Sequence, residues 1–328
     1  METLSLINIS LNDTQLINSE GRNLVRLSSD GAVVYKITSE KELKNYFILQ
    51  KYRSVLSEMG VFYPFLLKTK NLKDDLGQEY VAFFRFPLFT PYNILERFGK
   101  FKTGNNNDSE KAFRLLLKMF DAFEYLLPTE DFEGEDEEEL KNVLNLLFLD
   151  WMQVVDDFQG LGVNFEKIQT LIENSQEVIE CLPRVVQHKD ANPSNWRIVH
   201  INGKDVINVI DMETLGLARR GWDEGRVFVQ LSLDSLKQEK FLSILFSHDK
   251  FQDPKSRIYF WRVILFRCIR ELALIKRGKY FNAILEYSNF RKENIDNIKD
   301  KIKDGLFTTA SKAIKQLEYL LEIKKRYD

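Results

Sequence analysis

The sequence predicts an α+β fold in two parts: a small antiparallel sheet with one helix over residues 1–87, and a larger, mostly helical part over residues 88–328. Three observations predict it. Before Pro87 the apolar residues fall in short β-type runs separated by turn residues, with one stretch of helical period between them. After about residue 91 they recur every three to four positions over long stretches, as on amphipathic helices. Strands around one helix, followed by helices, is an α+β order and not an alternating βαβ order.

The elements follow in chain order. Residues 23–27 partly alternate, 28–31 are turn-forming, and 32–37 are rich in β-branched and aromatic residues, so the three read as a hairpin. Ser39 with Glu42 has capping-box spacing, and a helical stripe with Leu43, Tyr46, Phe47 and Leu49 runs to Gly60. Residues 61–67 and 79–87 read as two further strands, with a turn at 74–77, and Pro87 ends the second because it brings no N–H to a ladder. Residues 104–108 read as a loop by composition. Helices are predicted over 111–127, 140–158, 258–280 and 310–327, with one β segment, 196–211, among them. No internal repeat is present.

The bulk numbers exclude several classes. A chain of 328 residues with 44% hydrophobic content can bury a sizeable core, and a net charge of −2 is not that of a backbone-reading nucleic-acid binder. Cys181 and Cys268 are far apart, without Cys/His ligand spacing, which reads as free thiols of a reducing compartment. The N-terminus has no basic segment followed by an apolar block, and no apolar stretch is long enough to span a bilayer. The expectation is a cytoplasmic protein with no nucleic-acid or membrane partner. The acidic run 130–139 reads as a solvated loop and an acidic helix start that complements the helix dipole, in preference to an attracting surface for a cationic substrate.

The chemistry is concentrated in residues 187–213. Residues 187–196 read Gln-His-Lys-Asp-Ala-Asn-Pro-Ser-Asn-Trp, and two β-type runs then flank Asn202-Gly203, a strong hairpin signal. Closing the hairpin there brings Asn195, at the start of the first strand, close to Asp211, at the end of the second. An amide oxygen and a carboxylate at one hairpin mouth suit Mg²⁺, which takes one or two carboxylates and leaves room for substrate phosphates. Asp190 leads into the same mouth, placed to accept the proton of a substrate hydroxyl. Asp190 and Asn195 have the D-x-x-x-x-N spacing of a kinase catalytic loop.

His188-Lys189-Asp190, Pro193-Ser194-Asn195 and Ile210-Asp211-Met212-Glu213, with Gly216 and Trp222-Asp223 beyond them, resemble the aminoglycoside phosphotransferase and choline kinase superfamily, whose fold is protein-kinase-like and two-lobed. The resemblance is specific over 188–223 and weak elsewhere. It implies a nucleotide-binding lobe over 1–87, a hinge near 86–88, and a helical lobe over 88–328 with the catalytic loop and substrate site. It implies Asp190 as the catalytic residue, Asn195 and Asp211 as Mg²⁺ ligands, and ATP or GTP as phosphoryl donor to a small hydroxylated substrate. Lys36 resembles the strand lysine that holds the nucleotide phosphates, with Glu42 as its ion-pair partner and Glu40 or, less well, Glu58 as alternatives. His188 is implied to orient the loop and Asp223 to hold it. Glu213 either supports the metal site or bonds backbone. His200 and His248 have no partner motif and read as surface or packing residues.

The sequence departs from the family pattern in three places. Only one glycine, in 19–23, stands where a phosphate-covering loop is expected; Lys189 replaces the usual glycine; Met212 replaces the usual aromatic. Two rival readings follow from the same motifs. A kinase acting on protein is disfavoured by the Ile-Asp-Met-Glu motif and the lack of an Ala-Pro-Glu element. A non-catalytic nucleotide-binding module is disfavoured by the retention of Lys36, Asp190, Asn195 and Asp211.

Overall fold

The computed structural model describes residues 14–18, 25–28, 33–74, 77–85, 106–132, 137–159, 165–173, 183–191, 195–231, 235–278 and 295–327. Its chain divides into two compact units: Met1–Asn105 with Leu115–Phe132 and His188–Leu215, and Asn106–Arg114 with Glu133–Gln187 and Gly216–Asp328. The expected hinge near 86–88, the single-glycine segment 19–23 and most of the turn 28–31 lie outside the described residues.

In the first unit, strands β1 (Thr14–Asn18), β2 (Val25–Ser28), β3 (Val33–Ser39), β5 (Phe65–Asp74) and β6 (Gly77–Arg85) form an antiparallel sheet in the order β1-β2-β3-β6-β5. Helix α1 (Glu40–Glu58) follows β3 directly and packs on β3, β5 and β6. Leu43, Leu49 and Leu56 are fully buried on it, whereas Phe47, expected on the buried stripe, is 49% exposed. Gly60 ends the helix at φ +80°, the left-handed conformation that glycine adopts without cost. Its carbonyl then accepts from Ile207 N–H at 2.9 Å.

That bond begins a second, three-stranded sheet, which splits the expected strand 61–67. β4 (Val61–Phe62) pairs in parallel with β9 (Lys204–Val209), and β9 pairs antiparallel with β8 (Trp196–Ile201). The split is set by partners distant in sequence, since Val61 registers with Ile207. The β8–β9 hairpin turns on Asn202 at φ +48° and Gly203 at φ +76°, a two-residue turn with both central residues left-handed. Across this hairpin His200 Nδ1 lies 3.0 Å from Asp205 Oδ1, an exposed pair.

The second unit is mostly helical, with a two-stranded antiparallel ribbon of β7 (Arg184–Gln187) and β10 (Gly216–Arg219) that was not expected from the sequence. Helix α2 (Asn106–Leu126), which belongs to this unit up to Arg114 and to the first unit from Leu115, starts within the segment read as a loop, because Asn and Asp suit the first turn of a helix. Then come α3 (Glu137–Gln159), whose first turn is acidic, α4 (Phe165–Glu173), α5 (Trp222–Leu231), α6 (Ser235–Phe246), α7 (Pro254–Lys276) and α8 (Ile295–Tyr327). α7 packs against α3, α5 and α8 and is buried along most of its length. Close approach of α5 and α7 depends on Gly225, where an added Cβ would lie 2.6 Å from Val263 Cγ1. Buried Asp150 on α3 bonds Arg270 at 2.7 Å and also Arg277, tying α3 to α7 through charge. Cys268 is a buried free thiol, and burial pushes its pKa up and so disfavours the thiolate. Among the described residues no helix is long and apolar enough to cross a membrane.

Candidate active site

The mouth of the β8–β9 hairpin gathers most of the candidate residues. Trp196 registers with Val209, and one step further out Ile210 N–H donates to Asn195 O at 2.8 Å. Asn195 therefore faces Ile210, with Asp211 the next residue. Asp211 itself turns the chain, at φ 57° and ψ 45°. The loop before Asn195 is pinned by buried Trp196, whose Nε1–H donates to Ala191 O at 3.3 Å.

Asn195 and Asp190 are in direct contact. The Asn195 Nδ2 lies 2.9 Å from both Asp190 O and Asp190 Oδ2. Both are acceptors, so the amide nitrogen is the end turned toward Asp190, and the amide oxygen is the end a cation would meet.

His188 is fully buried and spans the same mouth. Its Nε2 lies 2.7 Å from Ile210 O, and Asp190 N–H donates to its Nδ1 at 3.3 Å. A ring nitrogen that accepts an N–H carries no proton, so the pattern selects the tautomer with hydrogen on Nε2. Thr214 Oγ1 lies 2.7 Å from His188 O and 2.8 Å from Asp211 O, between which its one proton is shared. His188 and Thr214 thus stitch the loop of Asp190 to the turn after Asp211.

That turn is also held from α1. Residues Met212–Thr214 form one 3₁₀ turn. Asn45 Nδ2 reaches three carbonyls around it, Met212 O at 3.2 Å, Glu213 O at 3.1 Å and Leu215 O at 2.6 Å. Tyr46 donates its hydroxyl to Glu213 Oε2 at 2.8 Å and accepts from Met212 N–H at 3.3 Å. Neither Asn45 nor Thr214 was a candidate from sequence, and Tyr46 was expected only as core. The available signal was a polar residue, Asn45, one turn from Leu49 on the buried side of a helix.

The remaining candidates are placed by backbone. Lys36 lies in mid-strand on β3, registered with Val25 and Ala82, and Glu42 is in the first turn of α1. Their side chains, and the pairing expected between them, lie outside the described part of the structure. Asp223 belongs to the second unit, buried at the start of α5, where its N–H donates to Gln187 Oε1 at 3.1 Å. Neighbouring Glu224, also buried, is neutralised by Lys250 at 2.8 Å and bonded by Gln187 Nε2 at 3.0 Å.

The donor set suits a hard divalent cation. Asn195 and Asp211 offer oxygen only, and they stand at adjoining positions of one hairpin mouth. Among the described residues no three His, Cys, Asp or Glu side chains converge as a metal cluster. A cation held by Asn195 and Asp211 would take its other ligands from water and substrate oxygens, as Mg²⁺ does at phosphate sites.

No family model matches the sequence, and no curated protein matches it. Solved structures do. An aminopropanol kinase associated with a microcompartment superposes with a TM-score of 0.54 at 12% identity, covering 97% of this chain and 96% of that one. The GDP complex of aminoglycoside 2'-phosphotransferase-IIIa gives 0.53 at 14% identity, over 94% of each chain. A spectinomycin phosphotransferase bound to ADP and spectinomycin gives 0.50 at 12% identity, over 92% of each. Matching these structures over nearly the whole of both chains, the protein has the α+β, kinase-like fold that they share.

Proposed function

We propose that the protein is a phosphotransferase that moves the γ-phosphate of ATP or GTP to the hydroxyl of a small molecule. The observation that supports this most is the contact of Asn195 with Asp190, braced by His188 and adjoining Asp211. Phosphoryl transfer needs little covalent help from a protein; it needs the acceptor hydroxyl positioned and the phosphate charge neutralised. The Asp190 carboxylate orients the acceptor hydroxyl and takes its proton. The Asn195 amide fixes that carboxylate through Nδ2, so its direction does not have to be found anew in each turnover. His188 holds the Asp190 backbone from the other side. Lys36 neutralises the nucleotide phosphates, with Glu42 steadying its flexible stem. Asn195 and Asp211 would hold Mg²⁺, which supplies charge neutralisation and orientation to the phosphates when bound.

The acceptors named with the neighbouring structures, kanamycin, spectinomycin and aminopropanol, define a sensible first panel of amine-bearing alcohols. The test is nucleotide turnover by wild type and Asp190→Asn across that panel. Asparagine keeps an acceptor for Asn195 but loses the basic carboxylate. The expected result is acceptor-dependent turnover in wild type and a loss of about 10²-fold or more in the variant. Full turnover by Asp190→Asn would overturn the assignment. Mg²⁺-dependent nucleotide binding with no turnover on any acceptor would favour the non-catalytic binding module.

A further inference from the structure

Asn45 and Tyr46 make five hydrogen-bond contacts, three of them sharing the two Asn45 Nδ2 hydrogens, to a turn that lies 166 to 170 positions away in sequence. Both side chains are buried, Asn45 at 9% and Tyr46 at 5% exposure; the bonds to Met212 and Leu215 are made out of water, and those to half-buried Glu213 are partly shielded from it. They satisfy carbonyls of a 3₁₀ turn that immediately follows Asp211. Glu42 precedes Asn45 by three positions and Tyr46 by four on α1, so the three lie on one side of the helix. One helix thus carries both the expected partner of the phosphate lysine and the two residues that hold the turn after Asp211.

We propose that Asn45 and Tyr46 are positioning residues that lock the turn of Asp211 to helix α1, so that metal-assisted nucleotide binding depends on the Tyr46–Glu213 hydrogen bond. The proposal rests on the phosphotransferase reading above, and it assigns Glu213 a place: its carboxylate is the acceptor by which α1 grips the turn. A shift of α1 then moves the backbone that carries Asp211, and an ordered Asp211 in turn favours one position of α1. Coupling of this kind acts equally in both directions.

Tyr46→Phe removes one oxygen, and with it both the donation to Glu213 and the acceptance from Met212, while the ring keeps its packing. The measurement is the affinity of the full chain for ADP and for GDP, once in Mg²⁺ and once in EDTA. It is made for wild type, Tyr46→Phe, Glu213→Ala, the double variant, and Phe47→Ser as a change on the exposed side of α1. The ratio of the two affinities isolates the metal-dependent gain. The expected result is a gain about fivefold or more smaller in Tyr46→Phe, with EDTA affinity within about twofold of wild type. The double variant should be no worse than the poorer single one, because one bond is lost only once. Phe47→Ser should keep the full gain. A full metal-dependent gain in Tyr46→Phe would overturn the proposal, and so would an equal loss with and without Mg²⁺, the signature of a merely structural role. If Tyr46→Phe does not fold, Glu213→Ala reads the same bond from its other end. Wild type that binds no nucleotide overturns the phosphotransferase reading and the latch together, whereas a failure of the latch alone appears only in the variants.

Discussion

Two side chains of the candidate site sit where backbone sterics favour glycine: Lys189 at φ 63° and Asp211 at φ 57°. The left-handed region costs an ordinary L-residue about 1–2 kcal/mol, and Asp is among the few types that enter it readily. Lys189 gains no such relief, which gives a physical sense to the glycine expected at this position from the family pattern that the motif resembles. Replacement by glycine removes the strain but adds about 0.4–1 kcal/mol of unfolded-chain freedom. Lys189→Gly is therefore expected to be as stable as wild type or up to about 1 kcal/mol more stable in urea unfolding. Lys189→Val, β-branched and disfavoured there, should lose about 1 kcal/mol or more. A large loss in Lys189→Gly would show that the lysine side chain itself holds the loop. The sequence displayed the missing glycine; the dihedral that makes it matter came only with the fold.

Helix starts and strand partners show what was legible at the scale of elements. Helix α7 was expected from residue 258, where its apolar period begins, but it starts at Pro254. The start signal was present: Asp253 caps the helix by accepting Ser256 N–H at 2.9 Å, and Pro254 fills a first-turn position that needs no N–H. Burial works to raise the Asp253 carboxyl, but hydrogen bonds from Ser256 and from the Lys255 backbone outweigh it and hold the group below its ordinary range. A carboxyl depressed in the fold adds stability above its unfolded pKa, about 3.9, and loses it as pH falls through the folded value. Asp253→Ala should therefore cost about 0.5–2 kcal/mol near neutrality, with the gap to wild type closing below about pH 4. Thermal unfolding across pH 3 to 7 measures this, and a gap independent of pH would exclude the charged cap. The hairpin at Asn202-Gly203 was readable because its turn, strands and register are local. The division of 61–67 between two sheets was not, because β4 finds its partner near residue 207. Asn45 was missed for the same reason: a helical period says which side is buried, not which distant carbonyls wait there.

Over the whole chain the fold is shared with kinases at 12–14% identity, while no curated protein matches in sequence. A core tolerates such divergence because it needs apolar residues of about the right volume at the right period, not particular ones. Asp190, Asn195 and Asp211 could be proposed from the sequence because phosphate chemistry restricts residue type and spacing together. The acceptor could not, since side chains that recognise it follow no fixed spacing. The proposed ligand set can be tested on the stability of the entire molecule without knowing the acceptor. A ligand at a hundred times its Kd stabilises the folded chain by about 2.7 kcal/mol. ADP or GDP should therefore raise Tm, and Mg²⁺ should enlarge the rise. Asp211→Asn is the informative variant: asparagine also enters the left-handed region, so the ligand-free Tm should stay near that of wild type while the Mg²⁺-dependent part of the rise is lost. Asp211→Ala would confuse the two, because alanine adds backbone strain to the loss of a ligand. The same Mg²⁺-dependent rise in wild type and Asp211→Asn would remove Asp211 from the metal site. A rise in wild type that needs no Mg²⁺ would remove the metal from nucleotide binding altogether, leaving Lys36 to carry the phosphate charge.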